Sequence, residues 1–392
     1  MKLRTIAVLA GMLLSFGVMS RAEAREWTIL VFLNGHNNLD SFGTDDINEM
    51  EAVGSSQERA IVVQWASMKS DTTKRLLVRK DRNPTNVSSP VIEEMPRVDM
   101  GDYQALIEFI QWGMEKYPAK HYFVDVWNHG SGWHLREEEE LFRSISHDDI
   151  SGNHITTEQL GLAMRTVFET TGNRIDIYGS DACLMGMHEV SEEMREAVDY
   201  FVGSEELEPG PGWPYDTWLA ELAKNPEATP RELGTYLVEE YVKSYQDGSQ
   251  GYADVTLAMY DLAYADQINE KLRSLAAGVD FVGEMAKQDI LTAAQNAQRF
   301  YYRDYMDLGD FLTRLRESMD LTEFAEFEEL GSVLENYVVI NRTTDGYSAA
   351  QGVAIWFPLE QSTVKTYGEE YQRLAFNKRL PEWYQMLTNI VP

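Results

Sequence analysis

The sequence is poor in cysteine and in positive charge, and each shortage excludes a class of protein. Cys183 is the one cysteine among 392 residues, so the chain cannot form an internal disulfide. Only 34 residues are Lys or Arg against 64 Asp or Glu, which gives a formal net charge of −30. A surface this negative repels phosphate backbones and anionic lipid headgroups. We therefore expect binding neither to nucleic acid nor to membrane surfaces.

Motifs that would indicate other kinds of chemistry are also absent. The sequence has no HExxH pair, no CxxC, no Walker motif and no glycine-rich dinucleotide loop after the first predicted strand. Residues 147–152 with Glu158 faintly resemble a calcium loop, but the first position is His. Thr156 and Gln159 fit a helix capping box better. A metal-dependent hydrolase is therefore the least favoured of the enzyme classes considered.

The N-terminal residues have the features of a secretory signal peptide. Lys2 and Arg4 form a basic region, residues 6–19 are apolar, and residues 22–24 read Ala-Glu-Ala, a small-x-small cleavage site. The apolar run is too short for a comfortable transmembrane span. We expect residues 1–24 to be removed and the protein to be exported, to a periplasm or out of the cell, with no membrane span left.

Alternating strand and helix patterns predict an α/β fold. Apolar, β-rich runs occupy residues 27–33, 60–65, 122–127, 175–178 and 200–203. Helical patterns lie at 44–53, 103–117, 157–170 and 185–198. Continuous apolar strands that alternate with helices indicate a mostly parallel central sheet covered on both faces. We expect a catalytic core over residues 25–225 and a mostly helical part over 226–392, whose last strand, 352–357, packs on the core.

Two of the predicted strands run directly into side chains with reactive groups. The strand at 122–127 leads to His129 and the strand at 175–178 leads to Cys183. Ligand sites in open α/β sheets lie at the carboxyl ends of the strands, so the imidazole and the thiol face one another if these strands are neighbours. The alternatives are a buried, unreactive cysteine and a simple tight turn at residues 129–132.

The residues around this pair fit nucleophilic catalysis. A thiol with a pKa near 8.5 needs activation, and Cys183 lies where a helix is predicted to begin, so that the helix dipole would stabilise a thiolate. His129 can act as base or acid. The backbone N–H groups of Gly130 and Cys183 are the candidate oxyanion hole.

These segments resemble the clostripain family, which belongs to the caspase-like clan of cysteine peptidases. The matching segments are residues 35–40, 127–133, 181–186, 203–215, 305–311 and 352–358. One departure is His36, where an acidic residue is expected. The resemblance implies a caspase-like α/β/α layered fold, with His129 as catalytic base and Cys183 as nucleophile. It implies no required cofactor, although it leaves calcium dependence open.

The resemblance also assigns substrate recognition to Asp181. This residue matches the acidic residue at the floor of the family's S1 pocket, where a carboxylate would pair with a substrate Arg or Lys. The alternative is a helix N-cap, a position that Asp favours. Glu205, Glu206 and Glu208 could line the same cleft, but solvated loop charge is the simpler interpretation for each.

A polar, acidic loop is predicted between the two catalytic strands. Residues 134–147 show no clear secondary-structure period and contain Arg136 and Arg143. Exposed loops are where cleavage concentrates. An enzyme that prefers Arg would cut itself here, and Arg143 is favoured because Arg136 precedes four glutamates. The alternative is a loop that stays intact.

The sequence therefore predicts an exported cysteine endopeptidase that hydrolyses peptide bonds after Arg or Lys through His129 and Cys183. The alternative is a catalytically inactive, caspase-like binding or surface-interaction protein. The expected partners are protein or peptide substrates with Arg or Lys, and the sequence carries no indication of an oligomeric state.

Overall fold

A computed structural model describes residues 24–135, 143–279, 284–318 and 325–392. The strands are β1 (Arg25–Gly35), β2 (Arg59–Ser67), β3 (Thr72–Leu77), β4 (Val91–Pro96), β5 (Ala119–Trp127), β6 (Gly130–Leu135), β7 (Arg143–Asp148), β8 (Asn153–Ile155), β9 (Ile175–Asp181), β10 (Val198–Gly203), β11 (Gln246–Gly248), β12 (Gly251–Tyr252), β13 (Thr256–Asp261), β14 (Tyr305–Asp307), β15 (Val338–Thr343) and β16 (Ala354–Trp356). The helices are α1 (Asp40–Val53), α2 (Tyr103–Lys116), α3 (Thr157–Thr171), α4 (His188–Met194), α5 (Tyr215–Lys224), α6 (Pro230–Ser244), α7 (Ala265–Val279), α8 (Glu284–Asn296), α9 (Leu308–Ser318), α10 (Ala325–Tyr337), α11 (Gln361–Tyr371), α12 (Ala375–Arg379) and α13 (Pro381–Ile390).

A nine-stranded sheet forms the centre of the molecule, in the order β15-β13-β10-β9-β5-β1-β2-β3-β4. The five central strands, from β10 to β2, are parallel, and the outer strands on both sides pair antiparallel. The α/β class and the mostly parallel sheet predicted from the sequence are confirmed. Each of the five predicted strands of the first half lies within one of the central strands, because a strand buried on both faces needs a continuous apolar run.

Successive residues of the central strands face two separate hydrophobic layers. In β1, Leu30 and Phe32 pack into the layer that includes α2 and α3, while Ile29, Val31 and Leu33 pack into the layer that includes α1, α5 and α6. Side chains that alternate across a strand produce this arrangement. The core therefore lies on both sides of the sheet.

The part after residue 225 also contributes strands to the central sheet. β13 and β15 extend it beyond β10, whereas β16 pairs with β14 in a separate two-stranded sheet. The predicted division of the chain at residues 225 and 226 stays a prediction.

The strand order reverses direction at β1, which lies between β2 and β5. At such a switch point the loops that follow β1 and β5 run in opposite directions and leave a crevice at the carboxyl edge of the sheet. The loops after β1, β5 and β9 all reach this edge. Within the described ranges, no helix has both the length and the apolar character needed to span a bilayer.

Candidate active site

The loops that carry His129 and Cys183 lie side by side. β5 and β9 are adjacent and parallel, and the Asn128 N–H donates to the Asp181 carbonyl oxygen over 3.2 Å just beyond the strand ends. Gly130 packs against the backbone of Cys183, because a Cβ added at Gly130 would overlap the Cys183 carbonyl oxygen. The two predicted residues are therefore brought to the same edge of the sheet.

The turn that carries Cys183 is not the start of a helix, so that prediction is wrong. α4 begins only at His188, five residues after the cysteine. Leu184 adopts a left-handed conformation with φ 63°, and its N–H donates to the Glu206 carbonyl oxygen over 3.1 Å. A backbone donor of the turn is thus bound to the neighbouring segment, and the N-terminus of α4 does not lie at Cys183.

The thiol of Cys183 is covered by the chain that follows β10. Cys183 is only 9% exposed, and its Sγ accepts a hydrogen bond from the Glu208 N–H at 3.2 Å. Burial, with a smaller contribution from the charge of Glu206, raises the pKa of Cys183 to about 11, although the hydrogen bond from the Glu208 N–H opposes the change. At neutral pH the cysteine is therefore a neutral thiol in this structure.

The imidazole of His129 is half-buried and hydrogen-bonded. Its Nε2 lies 2.6 Å from Oδ1 of Asn38, in the loop after β1. Burial, with a smaller contribution from the charge of His147, lowers the pKa of His129 to about 4, and the charge of Asp149 opposes the change. At neutral pH the imidazole and the thiol are thus both neutral in this structure.

Asparagine side chains fix the loops on which these groups lie. Asn128 donates to the Asn34 carbonyl oxygen at 2.7 Å and accepts the His147 N–H at 2.8 Å. Asn34 and Asn37 both donate to the His147 carbonyl oxygen, at 3.1 and 3.0 Å. Since buried amide groups with several partners have little freedom, the ends of β1, β5 and β7 are held together.

Asp181 lies beneath the cysteine turn, on the layer that contains α1 and α5. It is the last residue of β9 and seven residues before α4, so the N-cap alternative is excluded. One of its oxygens accepts the Trp213 N–H at 3.2 Å and lies 2.9 Å from the Tyr215 hydroxyl. The same hydroxyl lies 2.6 Å from Asp125, so it bridges two buried carboxyl groups.

Further carboxyl groups surround Asp181. Glu208 hydrogen-bonds to it, and Asp46 lies close enough for their charges to interact. We call Asp46, Asp125, Asp181 and Glu208 the carboxyl cluster. Burial raises the pKa of Asp181 to about 6 and the pKa values of the other three well above their ordinary range. Within the described part of the chain, no Lys or Arg forms an ion pair with the cluster.

The expectation of solvated glutamates after β10 is wrong. Glu205 is 1% and Glu206 6% exposed, and Glu208 is half-buried. The cause is the course of residues 204–213, which we call the covering segment. Its Ser204 carbonyl oxygen accepts the Gly186 N–H at 2.7 Å, so the segment lies across the cysteine turn instead of extending into solvent.

Comparison with known proteins identifies the family. A profile of the clostripain family matches residues 31–389 of the chain. The chain belongs to the clostripain family. Clostripain of Hathewaya histolytica is 26% identical over 309 residues, which cover 67% of this chain and 58% of that protein. The match thus spans less than two thirds of the length of this curated relative.

Solved structures confirm the predicted fold of this clostripain-family protein. A secreted C11 cysteine protease from Bacteroides thetaiotaomicron, in complex with an irreversible peptide inhibitor, is 21% identical with a TM-score of 0.68, covering 93% of this chain and 99% of that one. An inactive zymogen C11 protease from Parabacteroides distasonis is 18% identical with a TM-score of 0.69, covering 91% and 98%. The family to which the chain belongs is thus one of cysteine peptidases.

Both ends of the predicted self-cleavage loop, residues 134–147, lie in strands. β6 extends to Leu135 and β7 begins at Arg143, and these two residues are paired in an antiparallel ladder. Antiparallel pairing organises both ends of a stretch that has no clear period in the sequence. Arg136 and the acidic run at 137–140 lie outside the described residues.

Two points that the sequence leaves open are calcium binding and the departure at position 36. Among the residues described, no three His, Cys, Asp or Glu side chains are grouped so as to hold a metal ion. Thr156 and Gln159 form the predicted capping box at the start of α3, which is confirmed. His36, where an acidic residue was expected, is buried and lies 2.7 Å from Asp148.

Two residues of the site were not assigned a role from the sequence. Asn38 lies within the segment 35–40 that carries the resemblance, yet nothing in a single sequence indicates which side chain it faces. Tyr215 ends the segment 203–215, and its contact with Asp181 depends on how α5 packs on the sheet. Both contacts join distant parts of the chain.

Proposed function

We propose that the protein is an exported cysteine endopeptidase that cleaves peptide bonds after Arg or Lys. The observation that carries this proposal is the position of the one thiol of the chain beside a histidine, at the carboxyl ends of two adjacent parallel strands. Membership of the clostripain family supports the same chemistry. The predicted signal peptide, residues 1–24, supports export.

The reaction proceeds through a thioester. The Cys183 thiol gives its proton to His129 while the sulfur forms a bond to the substrate carbonyl carbon. The tetrahedral intermediate then collapses, the C–N bond breaks, and His129 returns the proton to the departing amine. Water attacks the thioester, His129 transfers a proton from the water to the sulfur, and the carboxylic acid product leaves.

A neutral resting pair is compatible with this route. The Glu208 N–H donates a hydrogen bond to the sulfur, so the covering segment moves before the sulfur can attack a substrate carbonyl. Movement of that segment also exposes Cys183 to water and to the imidazole, which lowers the cost of forming a thiolate. Proton transfer to His129 is then coupled to substrate binding instead of being complete beforehand.

The oxyanion is proposed to bind the N–H groups of Cys183 and Gly130. Gly130 packs on the Cys183 backbone, where any side chain would clash. A pair of backbone donors fixed in this way stabilises the charge that develops on the carbonyl oxygen.

The carboxyl cluster is proposed to select a basic residue at P1. Four carboxyl groups are gathered around Asp181 without a Lys or Arg partner among the described residues. Burial is the main cause of their raised pKa values, and the charge of Asp181 adds repulsion on Asp46, Asp125 and Glu208. A guanidinium or ammonium group of the substrate compensates that charge. Asp181 is the central member, because it contacts Glu208 and shares Tyr215 with Asp125.

Self-processing after Arg143 is part of the same proposal. Arg143 lies at the end of β7 that adjoins the predicted cleavage loop, and the substrate preference proposed here fits an Arg at this position. Both sides of a cut would stay associated, because β5 and β9 belong to one sheet. Intact-mass measurement should find two chains in the wild type and one in Cys183→Ala.

Cleavage of a peptide library by the purified 25–392 chain tests the proposal. We expect cuts after Arg and Lys that are absent from Cys183→Ala, a substitution small enough to leave the fold intact. Asp181→Asn should reduce cleavage after Arg at least about tenfold, since loss of one partner of a desolvated charge pair costs about 2–5 kcal/mol. Cleavage after neutral residues should fall much less.

The controls separate the alternatives. Equal losses by Asp181→Asn for basic and neutral substrates would contradict the S1 assignment. Activity that persists in Cys183→Ala would exclude the nucleophile. A wild-type protein that folds, binds basic peptides and cuts none of them would instead support the inactive binding protein.

A further inference from the structure

Asn38 lies at the switch point of the sheet, opposite the candidate catalytic histidine. It belongs to the loop that follows β1, and His129 belongs to the loop that follows β5, the strand paired with β1 in parallel. The Asn38 Oδ1 and the His129 Nε2 are 2.6 Å apart, a short distance for a hydrogen bond between neutral groups.

The backbone around Asn38 is fixed on both sides. Asn37 is buried, accepts the Leu39 N–H at 2.9 Å and donates to the His147 carbonyl oxygen at 3.0 Å. α1 begins directly afterwards, at Asp40. Asn38 itself is exposed to solvent. Its backbone is anchored by the neighbouring residues, and its side chain is not part of the hydrophobic core.

We propose that Asn38 is the positioning residue of His129. Its amide oxygen accepts the Nε2–H, which fixes the orientation of the ring and the tautomer. With the proton on Nε2, the lone pair is on Nδ1, and Nδ1 is then the atom that receives the thiol proton. The kinetic part of this inference rests on the proposed peptidase function, whereas the tautomer does not.

A neutral amide suits this position better than a carboxylate. Two charged groups among the described residues act on His129: the charge of His147 disfavours the imidazolium and the charge of Asp149 favours it. An aspartate at position 38 would add a second negative charge and stabilise the imidazolium in the resting enzyme. Asparagine orients the ring and leaves it neutral, so that the proton arrives only with the substrate.

Nitrogen-15 NMR of the histidines in the Cys183→Ala protein tests the hydrogen bond without any need for activity. The chain has 7 His residues, and the signals of His129 are assigned by their loss in His129→Gln. We expect a protonated Nε2 and an unprotonated Nδ1. Asn38→Ala should convert this single tautomer into a mixture, whereas Asn86→Ala, which removes an exposed amide in the segment between β3 and β4, should leave it unchanged.

The kinetic arm uses the active enzyme. Asn38→Ala should lower kcat about five- to tenfold with little change in KM. This decrease corresponds to the free energy of one neutral hydrogen bond that orients the base. Asn38→Asp keeps an acceptor, so it should retain more activity than Asn38→Ala. Its charge should move the acidic limb of the pH profile to higher pH by about one unit or more.

Each outcome has one interpretation. A protonated Nδ1 in the wild type, or a tautomer that Asn38→Ala does not alter, overturns the proposal. Unchanged kcat and pH profile in both Asn38 variants also overturns it and leaves the peptidase function standing. A protein without peptidase activity whose tautomer depends on Asn38 refutes the proposed function and supports the hydrogen bond.

Discussion

The buried thiol should react slowly in the native protein, and the rate can be worked out from its surroundings. The pKa of Cys183 is about 11 because the covering segment excludes water from the sulfur. At pH 7.5 this corresponds to a thiolate fraction of about 3 in 10,000, against about one in ten for an ordinary thiol of pKa near 8.5. The reactive form is therefore about 300-fold scarcer than in a free cysteine.

The scarcity of the thiolate is partly offset by its higher intrinsic nucleophilicity. A thiolate of higher pKa is the better nucleophile, by about 10- to 20-fold for this change in pKa. The net expectation is that native Cys183 reacts with a small aromatic disulfide at least about 15- to 30-fold more slowly than glutathione. Steric cover by the segment that holds Glu208 slows the reaction further.

Release of the chromogenic thiol measures this rate, and because Cys183 is the one cysteine of the chain the signal has one source. The rate should rise about tenfold per pH unit between pH 7 and 10, as the thiolate fraction does. Unfolding in urea should restore the rate of a free thiol, and Cys183→Ala should give none. A native rate equal to that of glutathione at pH 7.5, or a plateau below pH 8, would refute the closed, neutral thiol.

Two further predictions concern the surroundings of the carboxyl cluster. Burial raises the pKa of Glu49 to about 8, so the folded protein binds the Glu49 proton more tightly than the unfolded chain does. The protonated carboxyl group therefore contributes stability that is fully present below about pH 4.5 and is lost as the pH rises through 8. Glu49→Gln keeps an acceptor for the Tyr215 N–H and cannot ionise, so its melting temperature should fall less between pH 6 and 9 than that of the wild type; a larger fall would contradict the raised pKa. Gly212 has φ 59°, and a Cβ there would lie 2.8 Å from Asp181, whereas Gly172 has φ 72° with nothing within 4 Å. In urea unfolding, left-handed strain should cost both alanine variants about 1–2 kcal/mol of stability, and Gly212→Ala should lose more. Equal losses of stability would contradict the contact between residue 212 and the carboxyl cluster.

Local pattern was enough to predict the scaffold. Each central parallel strand is a continuous apolar run bounded by turn residues, and the capping box of Thr156 and Gln159 is a signal contained in four consecutive residues. His129 and Cys183 could be selected for the same reason, since each follows such a run. Strands outside the centre were missed. β3 and β4 are the last two strands at one end of the sheet and are partly exposed with mixed polarity, and the pairing of β6 with β7 depends on residues that the sequence alone does not bring together.

The sequence by itself therefore determined the fold class and the edge of the sheet at which His129 and Cys183 lie, because these follow from short-range periodicity and from the geometry of parallel strands. Only the tertiary structure decided the chemical state of the site. The neutral thiol results from the burial of Cys183, the low pKa of His129 results from burial and from the charge of His147, and the contact of the ring with Asn38 joins residues 91 positions apart in the chain. Protonation depends on solvent exclusion and on distances between charges, and both are set only when remote segments of the chain have packed together.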